Sequence, residues 1–434
     1  MSRFEFSLDL FLWLLSTPGQ QLLAHAQQLD LRPAQQLKTL AALRVQSADN
    51  REHATAAYEM AVLRQHARTK FLHADQMYFT REALEQASGN RISIYRARRF
   101  ANFHALSEEK GLAPSPRFFA PVSSEAWGRA GVGVGAESKP IYDLACSIGG
   151  DLFTLATHSH VVGIDRDPVR LAMAAANAVA LGLSAQVELV EADLEQFDPP
   201  PCAGIFFDPA RRDQGRRLSA AAYQPALTLI ERWLPLTQCL GAKVAPGIQA
   251  GQVPLRVRCE VEFISVDGEL KEAVLWYGAA AQPGQRATLL QGDQRHTLHS
   301  TDVTLSRLPI SPPQAFVYEP DPTILRAYLV EAIGAQLHAA QLDPDIAYLT
   351  AEHFTPTPFA RCWRVVEWLP FQLKNLRAVL RRRGVGAVTV KKRGSPIDTD
   401  ALARELSGEG DWPCVVFLTQ HLGKPIAIVA EGPV

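Results

Sequence analysis

The chain is short of cysteine, of net charge and of long apolar runs, and each shortage closes off a class of protein. Its six cysteines in 434 residues stand apart without a CxxC pair, which excludes a disulfide scaffold and a cysteine zinc site and fits a reducing cytoplasm. The twelve histidines form no H-x-x-x-H pair, so no metal is expected. Lys and Arg (44) balance Asp and Glu (45), so overall charge names no partner. The longest apolar run of the opening stretch, FEFSLDLFLWLLSTPG, is Leu10 to Leu15, too short to cross a bilayer. With Glu5 and Asp9 inside it and Arg3 as its only basic residue, the stretch does not read as a secretory signal. A buried helix in a cytoplasmic protein is expected instead.

What is present divides by rhythm. Residues 1–110 are rich in Ala, Leu, Gln and Arg, with helical spacing in LKTLAALRVQ and HATAAYEMAVLRQHA, and are expected to form a helical domain. After a break at Ser88-Gly89-Asn90 a basic helix is expected, with Arg96, Arg98 and Arg99 on its surface. Thirteen of the thirty residues from 111 to 140 are Gly, Pro or Ser, which marks 111–139 as a linker. From 140 to 278, short apolar runs (IYDLAC, HVVGID, AQVELVEAD, AGIFFD, CLGAKVAP) alternate with helical patterns, implying a parallel sheet with helices on both faces. EVEFISVDGELKEAVLWYG closes that region as a hairpin around Asp267-Gly268. Residues 279–360 are expected as a small α+β domain and 361–434 as a second one, of helix, strand, helix and hairpin.

The chemistry gathers at the strand ends. Asp143 lies in DLACSIGGD, Asp165 ends the next strand, Asp193 follows the third and Asp208 ends the fourth. In an open parallel sheet ligands sit beyond the carboxyl ends of the strands, so these acids converge on one crevice. A turn of small residues lets backbone approach a ligand, and a carboxylate at the second strand end can accept both hydroxyls of a ribose. ACSIGGD does not spell a phosphate-binding G-x-G-x-x-G, and Asp151 would repel phosphate at that helix start. A nucleoside cofactor bearing a positive sulfonium, S-adenosylmethionine, is the better match. Cys146, inside the turn, reads as a packed side chain rather than a nucleophile.

Over 140–278 the chain resembles class I S-adenosylmethionine-dependent methyltransferases, a Rossmann-like fold of seven strands. Their D/E-x-G-x-G-x-G motif falls here on Asp143, Ala145, Ser147 and Gly149, with Ala and Ser in place of two glycines. The resemblance implies that the turn through Gly150 passes under the methionine moiety. It also implies that Asp165, with Arg166 beside it, holds the ribose and that Asp193 meets the adenine. Asp208-Pro209 then stands at the methyl donor and resembles the D/N-P-P-Y/F motif of enzymes that methylate base amino groups. In those enzymes the Asp and the Pro-side carbonyl orient the acceptor nitrogen. Here Ala210 and Arg211 replace the second proline and the aromatic, and Arg211 is expected to guide the substrate by stacking or by holding phosphate. D-P-A-R also resembles RNA uracil-C5 methyltransferases, but KVAPGIQAG after the fifth strand lacks their cysteine.

Nearly the full length, through FFDPARR and the KKRG unit, is similar to bacterial methyltransferases with a THUMP-like domain. That resemblance implies a ferredoxin-like domain at 279–360, a THUMP-like domain at 361–434, and an RNA substrate, tRNA or rRNA, methylated on an amino or ring nitrogen. Residues 370–394 hold eight basic side chains and no acid. Arg381, Arg382, Arg383, Lys391, Lys392 and Arg393 are therefore expected to contact the RNA backbone. The alternatives are a methyltransferase fold that has lost its chemistry and only binds RNA, and a small-molecule methyltransferase.

Overall fold

The computed structural model describes residues 4–108, 139–211, 223–248, 258–279, 281–394 and 397–434. They fall into two compact units, Met1–Glu260 with Ala273–Pro283, and Val261–Glu272 with Gly284–Val434.

The first unit opens with six helices: α1 (Leu8–Leu15), α2 (Thr17–Ala26), α3 (Gln36–Gln46), α4 (Arg51–Ala67), α5 (Arg81–Gln86) and α6 (Asn90–Glu108). Polar caps start several of them. Ser7 Oγ accepts from the Leu10 N–H, Asn50 Oδ1 from that of His53, and Thr80 Oγ1 from that of Ala83. The apolar opening is α1, with Phe11 and Leu14 fully buried. No helix among the described residues is long and apolar enough to cross a membrane.

Strands β1 (Ile141–Leu144), β2 (Val161–Asp165), β3 (Val187–Glu191), β4 (Gly204–Phe207) and β5 (Cys239–Val244) are parallel, with β1 between β2 and β4. The chain runs outward from β1 to β3 and then returns to β4. The order therefore reverses at the β1/β4 boundary, where an open sheet leaves its crevice. Helices α7 (Leu152–Ala156), α8 (Pro168–Ala180) and α9 (Leu229–Trp233) alternate with these strands. β1, β2 and β4 are buried at every position, as expected of strands covered on both faces. Helix α6 packs on β4: the Phe100 and Phe206 rings meet edge to face at 6.3 Å, and a Cβ on Gly204 would lie 3.0 Å from Phe100. β6 (Glu260–Val266) and β7 (Glu269–Gly278) are joined at Asp267-Gly268, both at positive φ, and β7 runs antiparallel to β5. This closing reversal separates the fold from a purely parallel nucleotide-binding sheet.

In the second unit, β8 (Gly284–Gln291) and β9 (Gln294–His299) form a hairpin. The strands that follow build one seven-stranded sheet. They are β10 (Phe316–Pro320), β11 (Ala340–Asp343), β12 (Ile346–Ala351), β13 (Ala360–Pro370), β14 (Val385–Lys392), β15 (Trp412–His421) and β16 (Lys424–Glu431), in the order β11-β12-β10-β13-β16-β15-β14. Between β10 and β11 the chain forms two short helices, α10 (Pro322–Arg326) and α11 (Val330–Gln336). The segment 279–360 thus contributes three strands to the sheet of the C-terminal residues, and β13, starting at the expected domain boundary, pairs with β10. Val416 and Leu418 face the cluster under α12 (Leu373–Arg382) and α13 (Thr399–Leu406), while Phe417 faces Tyr348 and Trp363 on the opposite side.

Candidate active site

The turn after β1 keeps a glycine-like backbone without the glycines. Ala145 (φ 63°) and Ser147 (φ 54°) both lie in the left-handed region, as does Gly149 (φ 94°). An L-residue there costs about 1–2 kcal/mol, so neighbouring contacts must hold the turn. Ser147 N–H donates to Oδ2 of Asp165 (2.9 Å) and Cys146 N–H to the Ile164 carbonyl (2.9 Å). The Ile148 carbonyl accepts from Nδ2 of the fully buried Asn177 (3.1 Å), whose Oδ1 accepts from the Tyr78 N–H (2.7 Å). Strand end, helix α8 and the N-terminal helical segment all grip the same loop.

Asp143 is 1 % exposed, and neither of its carboxylate oxygens has a hydrogen-bond partner among the described residues. Burial pushes its pKa well above the ordinary carboxylate value, and the negative charges of Asp151, Asp208 and Asp165 push it further, against the pull of Arg96. Those three acids thus act on Asp143 from the same sheet edge. Ser147 Oγ is likewise buried and unpaired. An unmatched buried carboxylate costs stability unless a cation or donor completes it. An ammonium or sulfonium fits such a site and a phosphate does not, so these residues fit S-adenosylmethionine.

The remaining expected cofactor residues divide by exposure. Asp165 is buried, and its other oxygen accepts from the Asp167 N–H (3.0 Å). Asp167 in turn caps α8 at Val169 and Arg170. Arg166 and Asp193 are exposed, and Asp193 Oδ1 accepts from the Glu195 N–H (2.9 Å) as a turn residue does. Gly149 is buried, with the Phe153 ring 2.3 Å from where a Cβ would stand, whereas Gly150 has ordinary room. Cys146 is packed, and burial raises its thiol pKa well above the usual range, as a non-nucleophile requires.

Of the three arginines expected on the surface of α6, Arg96 is buried and Arg99 largely covered. Arg96 is 1 % exposed, pairs with Asp151 and lies over the Phe206 ring at 4.7 Å. Arg99 pairs with the fully buried Glu260 (2.8 Å) and lies over Trp276 at 4.3 Å. Only Arg98 is exposed. Aromatic rings and partner acids distant in sequence cover the other two, which no local charge count reveals.

At the end of β4 the Asp208 N–H donates to the Leu144 carbonyl (3.2 Å), and Pro209 is buried. Asp208 does not stand alone. Nζ of Lys243 in β5 donates to its Oδ2 at 2.8 Å and to the Gln86 carbonyl at 3.0 Å. Lys243, which the sequence reading passed over, joins this candidate site through Asp208; its only signal was a single charge within the apolar run CLGAKVAP. The backbone of Ala210 and Arg211 pairs with Tyr223–Gln224, and the Tyr223 hydroxyl accepts from the Ala245 N–H (2.7 Å). The Arg211 side chain lies outside the described residues, as does Arg212.

In the second unit, the run without acids in sequence has acids in space. Arg382 and Arg383 both pair with Glu367 (2.8 and 2.9 Å), and their hydrogen bonds, Arg383's first, lower the Glu367 pKa. Lys391 pairs with Glu319 (2.6 Å) over the Trp363 ring, and Arg393 lies over Tyr348. Lys392 donates to the Ile397 carbonyl, and Arg381 is exposed. The expectation of uncompensated charge is therefore corrected, because strands β10 and β13 bring carboxylates that the local sequence lacks. A cavity of about 650 Å³ is lined by Arg364, Arg382, Arg383, Trp412, Glu431 and the 365–366 segment.

Three comparisons bear on these two regions. A family model described as THUMP domain-like matches residues 360–432, and one for a domain of unknown function matches 7–67. The chain is 34% identical over 352 residues to uncharacterized S-adenosylmethionine-dependent methyltransferases of Mycobacterium tuberculosis strains CDC 1551 and H37Rv, covering 80% of this chain and 85% of each relative. A crystal structure of a methyltransferase candidate from Porphyromonas gingivalis W83 shares the fold over 89% of this chain and 92% of that one, with a TM-score of 0.68 and 20% identity. The chain therefore belongs to the S-adenosylmethionine-dependent methyltransferases, as an enzyme with that cofactor and a THUMP-like C-terminal region.

Proposed function

We propose that this enzyme methylates a nitrogen of an RNA base, with the acids at the strand ends holding the cofactor and Asp208-Pro209 facing the acceptor. The observation that carries the cofactor assignment is the buried, unpartnered Asp143 carboxylate beside the left-handed turn. Bound S-adenosylmethionine supplies an electrophilic methyl group on sulfur. Asp143 then offers its charge to the methionine ammonium, Asp165 its remaining lone pairs to the ribose hydroxyls, and exposed Asp193 an acceptor to the adenine amino group. Arg166 flanks the ribose, and the small side chains of Ala145 and Ser147, with Gly149 and Gly150, let backbone lie close beneath the ligand. Asp208 and the Pro209 segment orient the acceptor so that its lone pair points along the line of displacement. Arg211 steers the substrate.

The RNA part of the reading is supported by the THUMP domain-like match at 360–432 and by the cavity beside Trp412. Three guanidiniums, each held by Glu367 or Glu431, lie with an indole there and suit phosphate and base together once phosphate takes the place of the carboxylates. Exposed Arg381 stands on the same helix end as Arg382 and Arg383, and Lys391, Lys392 and Arg393, at the far end of β14 and partly held by Glu319, are a second contact for the RNA backbone. The substrate is taken to be tRNA or rRNA in the cytoplasm. The test is transfer of labelled methyl from S-adenosylmethionine to RNA from cells lacking the protein. D208A is expected to abolish transfer while S-adenosylhomocysteine still binds; full activity in D208A would contradict the assignment.

A further inference from the structure

We infer that Lys243 and Asp208 together read the N–H/C=O edge of a lactam base, so that the methylated atom is a ring nitrogen of guanine, uracil or hypoxanthine and not an exocyclic amine. This rests on the RNA-methylating reading above. Nζ of Lys243 lies 2.8 Å from Asp208 Oδ2, with the two side chains 14 % and 27 % exposed. One end of the pair is an obligate donor and the other, ionised, an obligate acceptor. They stand on the neighbouring parallel strands β5 and β4, with Phe207 opposite Ala242 in register, and both side chains reach the carboxyl edge of the sheet. An exocyclic amine presents two hydrogens and so asks for a second acceptor besides Asp208. A lactam presents one N–H beside one C=O and matches the pair group for group.

The Gln86 carbonyl, 3.0 Å from the same ammonium, holds Lys243 in place while substrate exchanges. An ammonium carries three hydrogens on a rotating bond. The hydrogen given to Asp208 can therefore turn to the substrate carbonyl once Asp208 accepts the ring N–H. During transfer the N–H bond breaks and its proton passes to the Asp208 carboxylate. The nitrogen pair forms the bond to the methyl carbon, and the pair of the broken C–S bond stays on sulfur. Negative charge drawn onto the base oxygen as the proton leaves is met by the Lys243 ammonium, a contact that strengthens in the transition state.

The test uses the full-length protein and its Lys243→Met variant. RNA methylated by wild type is digested to nucleosides and the product identified by mass spectrometry. S-adenosylhomocysteine affinity is measured by calorimetry, and RNA affinity by anisotropy with S-adenosylhomocysteine present. The expected product carries methyl on a lactam ring nitrogen. K243M should lose at least 100-fold in kcat and bind RNA more weakly, with S-adenosylhomocysteine affinity within threefold of wild type. Lys243→Arg, which keeps charge and donors, should recover part of the rate; a merely structural ion pair would change melting temperature in both variants without this split. Methyl on an exocyclic amine, or K243M with wild-type kcat, overturns the inference and leaves the RNA reading standing. No methylated RNA from any pool, with S-adenosylhomocysteine still bound, overturns both.

Discussion

Asp143 and Asp151 flank one turn and are both more than nine-tenths buried, yet Asp151 has Arg96 across from it while Asp143 has no partner among the described residues. The difference separates architecture from binding. The paired acid ties α6 to the start of α7 and uses up its charge within the fold. The unpaired one leaves its charge for something that is not part of the chain. Three other carboxylates bear on Asp143, and the buried guanidinium of Arg96 goes to Asp151, which leaves Asp143 to a ligand.

The largest effect should come from breaking the paired side. Arg96→Met leaves Asp151 buried without its counter-ion, and loss of one partner of such a pair typically costs about 3–5 kcal/mol. Urea denaturation should show a loss of that order. The double variant R96M/D151N should recover part of it, because it removes both charges together.

Neutralising the unpaired side should act in the opposite direction on stability. Asp143→Asn removes a buried charge, so the folded protein should gain roughly 1–3 kcal/mol near neutral pH. Cofactor affinity should fall at least tenfold. The pH dependence has a definite sign. Asp143's folded pKa is raised above its unfolded value, so its protonated form favours the fold below about 3.8. That contribution is lost as pH rises from there toward the folded pKa, by roughly 1.4 kcal/mol for each pH unit within the window. Melting curves of wild type and D143N should therefore diverge with rising pH, the variant becoming the more stable.

A smaller change sharpens the same comparison at the turn between the two acids. Ala145→Gly relieves a left-handed alanine and should stabilise by about 1 kcal/mol, offset in part by the freer unfolded chain. Cofactor affinity should hold or improve. The smallest effect belongs to the C-terminal region: Arg382→Ala removes an exposed half of the Glu367 fork and should cost under about 1 kcal/mol. It should weaken RNA binding and reduce its salt dependence, with cofactor affinity unchanged.

The sheet and its row of acids were legible because they are local. Apolar runs ended on Asp165 and Asp208, Asp167 began a capped helix, and Asp267-Gly268 turned β6 into β7. What stayed hidden depends on pairs far apart in the chain. Arg96 meets Asp151 across 55 residues, Lys243 meets Asp208 across 35, and Lys391 meets Glu319 across 72. A charge count within a window sees one member of each pair and reads it as exposed. The glycine motif shows the converse: the residue types departed from it, but Ala145 and Ser147 still adopt the positive φ that the motif exists to permit.

The most direct measurement is calorimetric titration of S-adenosylhomocysteine into wild type, Asp165→Ala and D143N. Micromolar binding to wild type, lost in D165A and at least tenfold weaker in D143N, is the expected result. Equal binding to all three folded proteins would contradict the placement of the cofactor on these acids.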